Sequence, residues 1–202
     1  MSKKNLRFKR LLNKYRSIAS EAQSTSEIID EMQDYFNDCL DDYCSKNEID
    51  LEELKKDKEE RIKQLVQVSN EQIKGVEEKI QEQEYDSKSL FRQIAKKFHP
   101  DTLETGDPDK EEKEEIFKTA MRAIDECNWG LLFDIAAKHD LELKDYDSVI
   151  ASLKLDIERE SAILKKKQNT WSWLLFNCED DQDCTDQTIL GFLKQVYSYN
   201  NT

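Results

Sequence analysis

The 202-residue chain is acidic and polar: charged residues make up 37% of it, hydrophobic residues also make up 37%, and the formal net charge is −13. It has only 4 glycines and 2 prolines, too few for a turn-rich β-sandwich or barrel, whereas its many Glu, Lys, Gln, Leu and Ile residues favour helix. No apolar run approaches the roughly 20 residues needed to cross a bilayer. The composition therefore predicts a soluble, all-α protein.

The charge is distributed unevenly along the chain. Residues 1–20 carry seven cations and no acid, so the net charge of −13 divides into +7 for this segment and −20 for the rest. The cations are Lys3, Lys4, Arg7, Lys9, Arg10, Lys14 and Arg16. Three interpretations are open: a helix lying on the protein's own acidic body, a contact for nucleic acid or anionic membrane, or an organelle-targeting segment. We favour the first, because charge alone rarely identifies a ligand.

Five cysteines, an odd number without regular spacing, favour free thiols in a reducing compartment, and hence a cytoplasmic protein. They are Cys39, Cys44, Cys127, Cys178 and Cys184. The last two bracket an acidic stretch, but two thiols alone make a poor zinc site, and the central glycine and closing glutamate of a calcium loop are missing. We expect an acidic linker there, with no metal or other cofactor.

The chain divides into four segments, of which residues 1–47 and 48–85 come first. Apolar residues at helical spacing predict two helices in the first segment, with a break near residues 24–26 where Ser26 can cap the second helix. In the second segment the pairs Leu51/Leu54, Ile62/Leu65 and Ile73/Val76 recur every eleven residues. Such a repeat keeps an apolar stripe in line, which predicts one long, nearly straight helix over about residues 49–84.

The last segment, residues 144–202, has its apolar residues Ile150, Leu153, Ile157 and Leu164 at heptad spacing. This predicts a helix over about residues 147–168, which we expect to pair in antiparallel fashion with the long helix. The aromatic run at residues 171–176 favours a core position over an exposed partner-binding patch. A short amphipathic helix around residues 189–196 ends the chain.

The third segment, residues 86–143, contains the tripeptide His99-Pro100-Asp101. Proline disfavours helical geometry in the residue before it. A helix that begins at Asp86 or Ser87 should therefore end near Phe98 and leave His99 and Asp101 on a loop. Its apolar face is expected to consist of Phe91, Ile94, Ala95 and Phe98.

The other face of this helix is basic. Lys88, Arg92 and Lys96 stand at four-residue intervals, with Lys97 beside them, and there is no acid from Lys88 to Phe98. Like charges at this spacing destabilise an isolated helix by about a few tenths of a kcal/mol per pair, so helix stability does not explain them. An acidic binding partner would explain this row of cations.

A second helix is predicted to start at Asp107 and Pro108, which suit an N-cap and a first helical position. Its inward residues would be Phe117, Ala120, Met121, Ile124 and Cys127, and a short helix follows around residues 131–136.

Two runs in this segment resemble the J-domain of DnaJ-type co-chaperones. Leu90-Phe91-Arg92-x-Ile94-Ala95-x-Lys97-Phe98-His99-Pro100-Asp101 is similar to the second helix and loop of that family, and Ile116-Phe117-x-x-Ala120-x-x-Ala123-Ile124 to its third helix. The resemblance covers about residues 86–127 and implies a J-domain-like helical hairpin joined to a long helical stalk and C-terminal helices.

The chain also departs from the family. The usual tyrosine-rich first helix is not recognisable just upstream, where Val76 and Ile80 of the long helix would take its packing role. Residues 131–143 replace the basic fourth helix. Neither a Gly/Phe-rich linker nor zinc-binding cysteine repeats occur in the sequence, which is typical of proteins that share only the J-domain.

The resemblance implies a partner and a set of roles. The loop and the basic helix would bind a DnaK-type seventy-kilodalton heat-shock chaperone in its ATP state. Asp101 would help to trigger ATP hydrolysis there, while His99 and Pro100 fix the shape of the loop. Arg92, Lys96 and Lys97, with Lys88 at the edge, would meet acidic surface on the chaperone. The protein itself would be no enzyme, and its client is unknown.

Two other interpretations stay open. The chain could be a helical scaffold or adaptor that kept the J-like hairpin but no longer stimulates a chaperone, or Pro100 could merely end a helix whose lysines are a solvated face. A general base or metal ligand at His99 is disfavoured, because the only other histidine is His139 and no cysteine or carboxylate set around them has ligand spacing.

Overall fold

The computed structural model describes residues 3–69, 88–102 and 108–200, and every regular element in these ranges is helical. The helices are α1 (Lys3–Lys46), α2 (Leu51–Ser69), α3 (Lys88–Phe98), α4 (Lys110–Asp125), α5 (Trp129–Lys138), α6 (Tyr146–Lys167), α7 (Trp171–Phe176) and α8 (Gln182–Tyr197), with a 3₁₀ turn at Pro100–Thr102. The predicted all-α class is confirmed. None of these helices is both long and apolar enough to cross a membrane.

The described residues belong to two compact units, each assembled from separate parts of the chain. Unit 1 takes its residues from 1–22 and 81–164, and unit 2 takes its residues from 23–80 and 165–202. Because the boundaries fall inside α1 and α6, each of these two helices contributes residues to both units.

The predicted break near residues 24–26 is wrong, since α1 is one continuous helix from Lys3 to Lys46. Ala22 and Thr25 are buried at this point, and Ser26 is half-buried. Serine and threonine favour helix caps, but their cost inside a helix is modest, and the packing of an apolar face supplies most of the stability of a helix in a protein. Burial of Ala22 just before the expected break and of Thr25 within it therefore outweighs the local preference.

The core of unit 1 combines α1 with α3, α4, α5 and α6. Its buried apolar residues include Phe8, Leu12 and Tyr15 of α1, Leu90, Ile94 and Phe98 of α3, Ala120 and Ala123 of α4, Leu132 and Phe133 of α5, and Ile150, Leu153 and Ile157 of α6. The ring of Phe8 meets Phe133 and Tyr146 edge-on, with centroids 6.4 Å and 5.8 Å apart. The first turns of α1 thus help to enclose the core against which α3 packs.

A polar network inside unit 1 holds the start of α5. The hydroxyl of Tyr15 donates to Oδ1 of Asn128 at 2.9 Å, and the same oxygen accepts the backbone N–H of Leu131 at 3.1 Å. The buried carboxylate of Asp156 accepts the backbone N–H of Gly130. Burial raises the pKa of Tyr15 to about 12 and also raises the pKa of Asp156.

Arg159 completes this network from α6. Its guanidinium pairs with Asp156 at 3.0 Å and donates to the carbonyl of Cys127 at 3.2 Å. A buried charge is costly unless it is paired and hydrogen-bonded, and Asp156 meets both conditions.

The predicted pairing of the long helix with α6 is not found among the described residues. The α6 residues Ile150, Leu153 and Ile157 lie in the core of unit 1, whereas Leu51 and Leu54 of α2 pack against the core of unit 2. The eleven-residue and heptad repeats have different periods, so the pattern did not specify a common register. The predicted continuation of α2 to Glu84, with Ile73, Val76 and Ile80, lies outside the described residues.

Unit 2 is built around the second half of α1, α7 and α8. Its buried apolar residues are Phe36, Leu40, Cys44, Leu175, Ile189 and Leu193. The ring of Phe192 meets Phe36 edge-on at 5.0 Å and Trp171 at 5.9 Å. The aromatic run of α7 is divided, because Leu175 is buried and Trp171 is half-buried while Leu174 and Phe176 are exposed.

The expectation of free thiols is wrong for two of the five cysteines. Cys178 and Cys184 form a disulfide across the turn between α7 and α8, which brings their Cα atoms to 5.4 Å, whereas Cys39 and Cys44 are free. Their Cα separation lies in the range that a disulfide requires. An odd number of cysteines is compatible with one disulfide, and the closeness of the two thiols depends on a turn that spacing alone does not reveal.

Candidate functional site

The end of α3 is shaped by Pro100. The helix ends at Phe98, as predicted, and the N–H of His99 still donates to the carbonyl of Ala95 at 3.0 Å. The chain then enters the 3₁₀ turn, where the N–H and the hydroxyl of Thr102 both donate to the carbonyl of His99, at 2.9 Å and 2.7 Å. Two donors on one carbonyl hold the turn tightly.

Within this turn His99 and Asp101 have different surroundings. The backbone N–H of Asp101 donates to Nδ1 of His99 at 3.1 Å, and Oδ2 of Asp101 lies 3.7 Å from the same nitrogen. The imidazole also meets the ring of Phe117 on α4 edge-on, with centroids 4.9 Å apart. His99 therefore ties the turn to α4, while the side chain of Asp101 remains 89% exposed and accessible to a partner.

The cations predicted for the site lie on α3. Lys88, Arg92 and Lys96 are exposed, and their four-residue spacing puts them on one side of the helix. Lys97 is exposed as well, but its ammonium donates to the carbonyl of His139 at 2.9 Å and lies 5.5 Å from the centroid of the Phe98 ring. Lys97 thus has a structural contact that the sequence did not indicate.

The opposite side of α3 is seated in the core of unit 1. Leu90, Ile94 and Phe98 are buried, whereas Phe91 and Ala95 are only half-buried. The apolar stripe is therefore rotated slightly from the predicted set, because Leu90 takes the place that was assigned to Phe91. Burial of this side explains how the basic side comes to face solvent.

Gln93 adds a polar attachment that sequence reasoning missed. Its side-chain amide donates to the carbonyl of Glu142 at 2.9 Å, and its side-chain carbonyl accepts the N–H of Glu142, also at 2.9 Å. The partner lies 49 residues away in the sequence, so no local pattern could have identified it. Together with Lys97 and His139, this pair fixes α3 to the segment that follows α5.

His139 lies where α5 ends, next to the site. Its ring meets Phe98 edge-on, with centroids 4.9 Å apart, and its carbonyl is the acceptor for Lys97. Partial burial, helped by the positive charge of Lys97, lowers the pKa of His139 below its usual value of 6.5. The neutral imidazole is therefore favoured in the folded protein.

The helix after the loop begins later than predicted. α4 starts at Lys110 with Asp109 as its N-cap, because Pro108 and Asp109 form a turn, and the predicted cap Asp107 lies outside the described residues. Ala120 is buried, and Phe117, Ile124 and Cys127 pack against the core as predicted. Met121 was expected to face inward but is exposed, and Ala123 is buried in its stead.

The basic segment at the start of the chain is helical and forms ion pairs with acids of its own unit. Lys4 pairs with Asp147, and Arg16 pairs with Asp134. Both pairs favour the interpretation that this segment lies on the protein's own acidic body.

No family model, curated protein or solved structure matches this chain. The resemblance to the J-domain therefore rests on the sequence of residues 86–127 alone. In the part of the chain that the structure describes, no group of three or more histidines, cysteines and carboxylates is arranged to hold a metal ion.

Proposed function

We propose that this protein is a J-domain-type co-chaperone that binds a DnaK-type seventy-kilodalton heat-shock chaperone in its ATP state and stimulates its ATP hydrolysis. The observation that carries the proposal is the position of Asp101. Its 89%-exposed side chain lies in a tight turn directly after a helix whose exposed side is basic. This arrangement combines one accessible acceptor with a row of cations, as the resemblance requires.

The roles of the residues follow from their surroundings. Exposed cations such as Arg92 and Lys96 speed the encounter with an acidic surface and help to orient it. The ionised carboxylate of Asp101 only accepts hydrogen bonds, so it would engage a donor on the chaperone. His99 and Pro100 shape the turn that presents this carboxylate.

The co-chaperone itself performs no chemistry in this proposal. Hydrolysis takes place in the chaperone, and the co-chaperone favours it by binding the hydrolysis-competent state more tightly than the alternatives. The free energy available for the shift is the difference in affinity between the two states. A substitution can therefore abolish stimulation while part of the binding remains.

A second candidate function is a helical scaffold that keeps the hairpin but does not stimulate a chaperone. One contact favours it: Lys97, a member of the basic set, is bound to the carbonyl of His139 within its own unit. In the scaffold, the buried side of the basic helix would pack in the core, and its cations would only be solvated.

We propose a cytoplasmic location on the basis of the DnaK-type partner. The disulfide between Cys178 and Cys184 is the observation against it, because disulfides are rare in cytosolic proteins. Counting the thiols that are alkylated when the protein is purified from its natural source tests this location. Five alkylated thiols would support a reducing compartment, whereas three would show that the disulfide forms and would count against a cytoplasmic location.

Single-turnover ATP hydrolysis by the cognate DnaK-type chaperone tests the proposal. Wild-type protein should accelerate hydrolysis, and both His99→Gln and Asp101→Asn should lose most of the acceleration. Absence of acceleration by folded wild-type protein would favour the scaffold.

A further inference from the structure

A groove with an apolar floor and an acidic rim lies in unit 2. It has a volume of about 480 Å³ and is lined by Met32 and Tyr35 of α1, by Phe176 of α7 and by Glu179 and Asp180 of the following turn. Pockets that bind ligands typically have volumes of about 300–1,000 Å³ and combine an apolar lining with a few polar groups. The groove is large enough for a bulky side chain of a partner.

Two large apolar residues that line this groove are exposed. Tyr35 is 49% exposed and Phe176 is 41% exposed. Scattered apolar residues on a surface need no explanation, but large ones gathered beside a cavity are typical of interaction sites. A partner would bury them.

A second, smaller cavity shares Tyr35 with the first. Its volume is about 190 Å³, and carboxylates of Asp38 and Asp42 from α1 and of Asp186 from α8 line it, with Lys46 contributing one cation. Tyr35 thus lines both the larger cavity, with its apolar residues, and the smaller cavity, which is rich in carboxylates. We call the two cavities together the Tyr35 groove.

The charge around the Tyr35 groove has one dominant sign. Residues 23–45 contain seven acids and no cation, and residues 179–183 add four acids. These segments supply the α1 wall and the turn that close the groove. Such a surface attracts cations and repels acidic chains.

We propose that the Tyr35 groove binds a protein segment in which a large apolar side chain stands next to lysine or arginine. The apolar side chain enters the larger cavity beside Phe176, and the cation reaches the carboxylates of Asp38, Asp42 and Asp186. Charge complementarity selects this occupant over an acidic or purely apolar segment. The inference does not depend on the chaperone proposal, because the segment binds without chaperone or ATP.

Fluorescence anisotropy of a short labelled peptide tests the proposal. The probe alternates leucine and phenylalanine with lysine and arginine, and its control replaces every cation with glutamate. The full-length protein should bind the basic probe in low salt and bind the control at least about tenfold more weakly. Raising the ionic strength should weaken binding of the basic probe, because salt screens exposed charges.

Variants of exposed residues locate the site. Phe176→Ala should weaken binding about tenfold, the effect typical of losing a central apolar anchor. Asp180→Lys should weaken binding severalfold and reduce its dependence on salt. Glu59→Lys is the matched control, because it makes the same change of charge at an exposed position of α2 in the same unit, and it should leave binding nearly unchanged.

Three outcomes would overturn the proposal. They are no binding of the basic probe in low salt, equal binding of the acidic control, and variants of the groove that behave like Glu59→Lys. If Phe176→Ala fails to fold, Tyr35→Ser takes its place, since Tyr35 is the more exposed of the two. Self-association that Asp180→Lys abolishes, without binding of the probe, would assign the groove to a second copy of this chain and also overturn the proposal.

Discussion

The backbone N–H of Asp101 donates a hydrogen bond to Nδ1 of His99, while the carboxylate of the same aspartate is 89% exposed. In this geometry Nδ1 is an acceptor, so the proton of the neutral ring is on Nε2. The imidazole packs against Phe117 at the same time. His99 therefore positions the turn, and Asp101 presents an exposed carboxylate at its surface.

The cations Arg92 and Lys96 of α3 should contribute more to chaperone binding than an exposed cation elsewhere in unit 1. Arg92→Ala and Lys96→Ala should each weaken binding to the ATP-bound chaperone severalfold and reduce its salt dependence, because exposed charges act mainly through long-range attraction. Binding measured at two or more salt concentrations checks this. Lys154→Ala, an exposed cation of α6, is the control and should change little. Equal effects of all three substitutions would contradict a specific basic face.

Gly130 should not tolerate a side chain. A Cβ at this position would overlap the ring of Tyr15, so Gly130→Ala should lower the free energy of unfolding by about 1–3 kcal/mol through overpacking. Gly191→Ala is the matched control, because its Cβ would meet Trp171 at 3.3 Å, and the better helix propensity of alanine offsets part of the strain. Chemical denaturation of both variants measures the difference. Equal stabilities would show that Tyr15 moves aside readily.

The local features of the site could be predicted from the sequence. Pro100 acts on its immediate neighbours, so the end of α3 at Phe98 followed from steric rules alone. The exposed basic side of α3 followed from the four-residue spacing of its cations and the apolar residues opposite them. These are properties of one helix and one turn.

The contacts that the sequence did not indicate join distant segments. Gln93 with Glu142, Lys97 with His139, and Asp156 with Gly130 are each separated by more than two dozen residues, and no periodicity reports such pairs. The continuity of α1 was missed for the same reason, because Thr25 is buried by tertiary packing. Local preference predicted a cap where the fold required a helix.

His139 should make unit 1 less stable in mild acid. Because its pKa is lowered in the folded protein, the unfolded chain binds more protons, and the free energy of unfolding falls as the pH drops below about 6.5. Above that pH the neutral ring is present in both states and the penalty disappears. His139→Phe keeps a ring against Phe98 and should flatten this part of the pH profile, measured by denaturation between pH 5 and 8. A free energy of unfolding that depends more steeply on pH in the variant than in the wild type would contradict the assignment of this pH dependence to His139.

The disulfide should stabilise unit 2. Joining Cys178 to Cys184 restricts the unfolded chain, so the double substitution of both cysteines by serine should lower the free energy of unfolding by about 2 kcal/mol. Reductant should lower the stability of the wild type to the level of the variant and leave the variant unchanged. Thiol titration of the unfolded, unreduced protein should find three thiols. Five would show that the disulfide does not form.

The rate of single-turnover ATP hydrolysis by the cognate DnaK-type chaperone, with wild-type protein and with Asp101→Asn, tests the central claim most directly. The substitution keeps the size of an exposed side chain, removes its charge and replaces one acceptor oxygen with an amide donor, so the fold should be unchanged by circular dichroism and thermal midpoint. The account predicts acceleration by the wild type and loss of most of it in the variant. Equal acceleration by the two proteins would contradict the account.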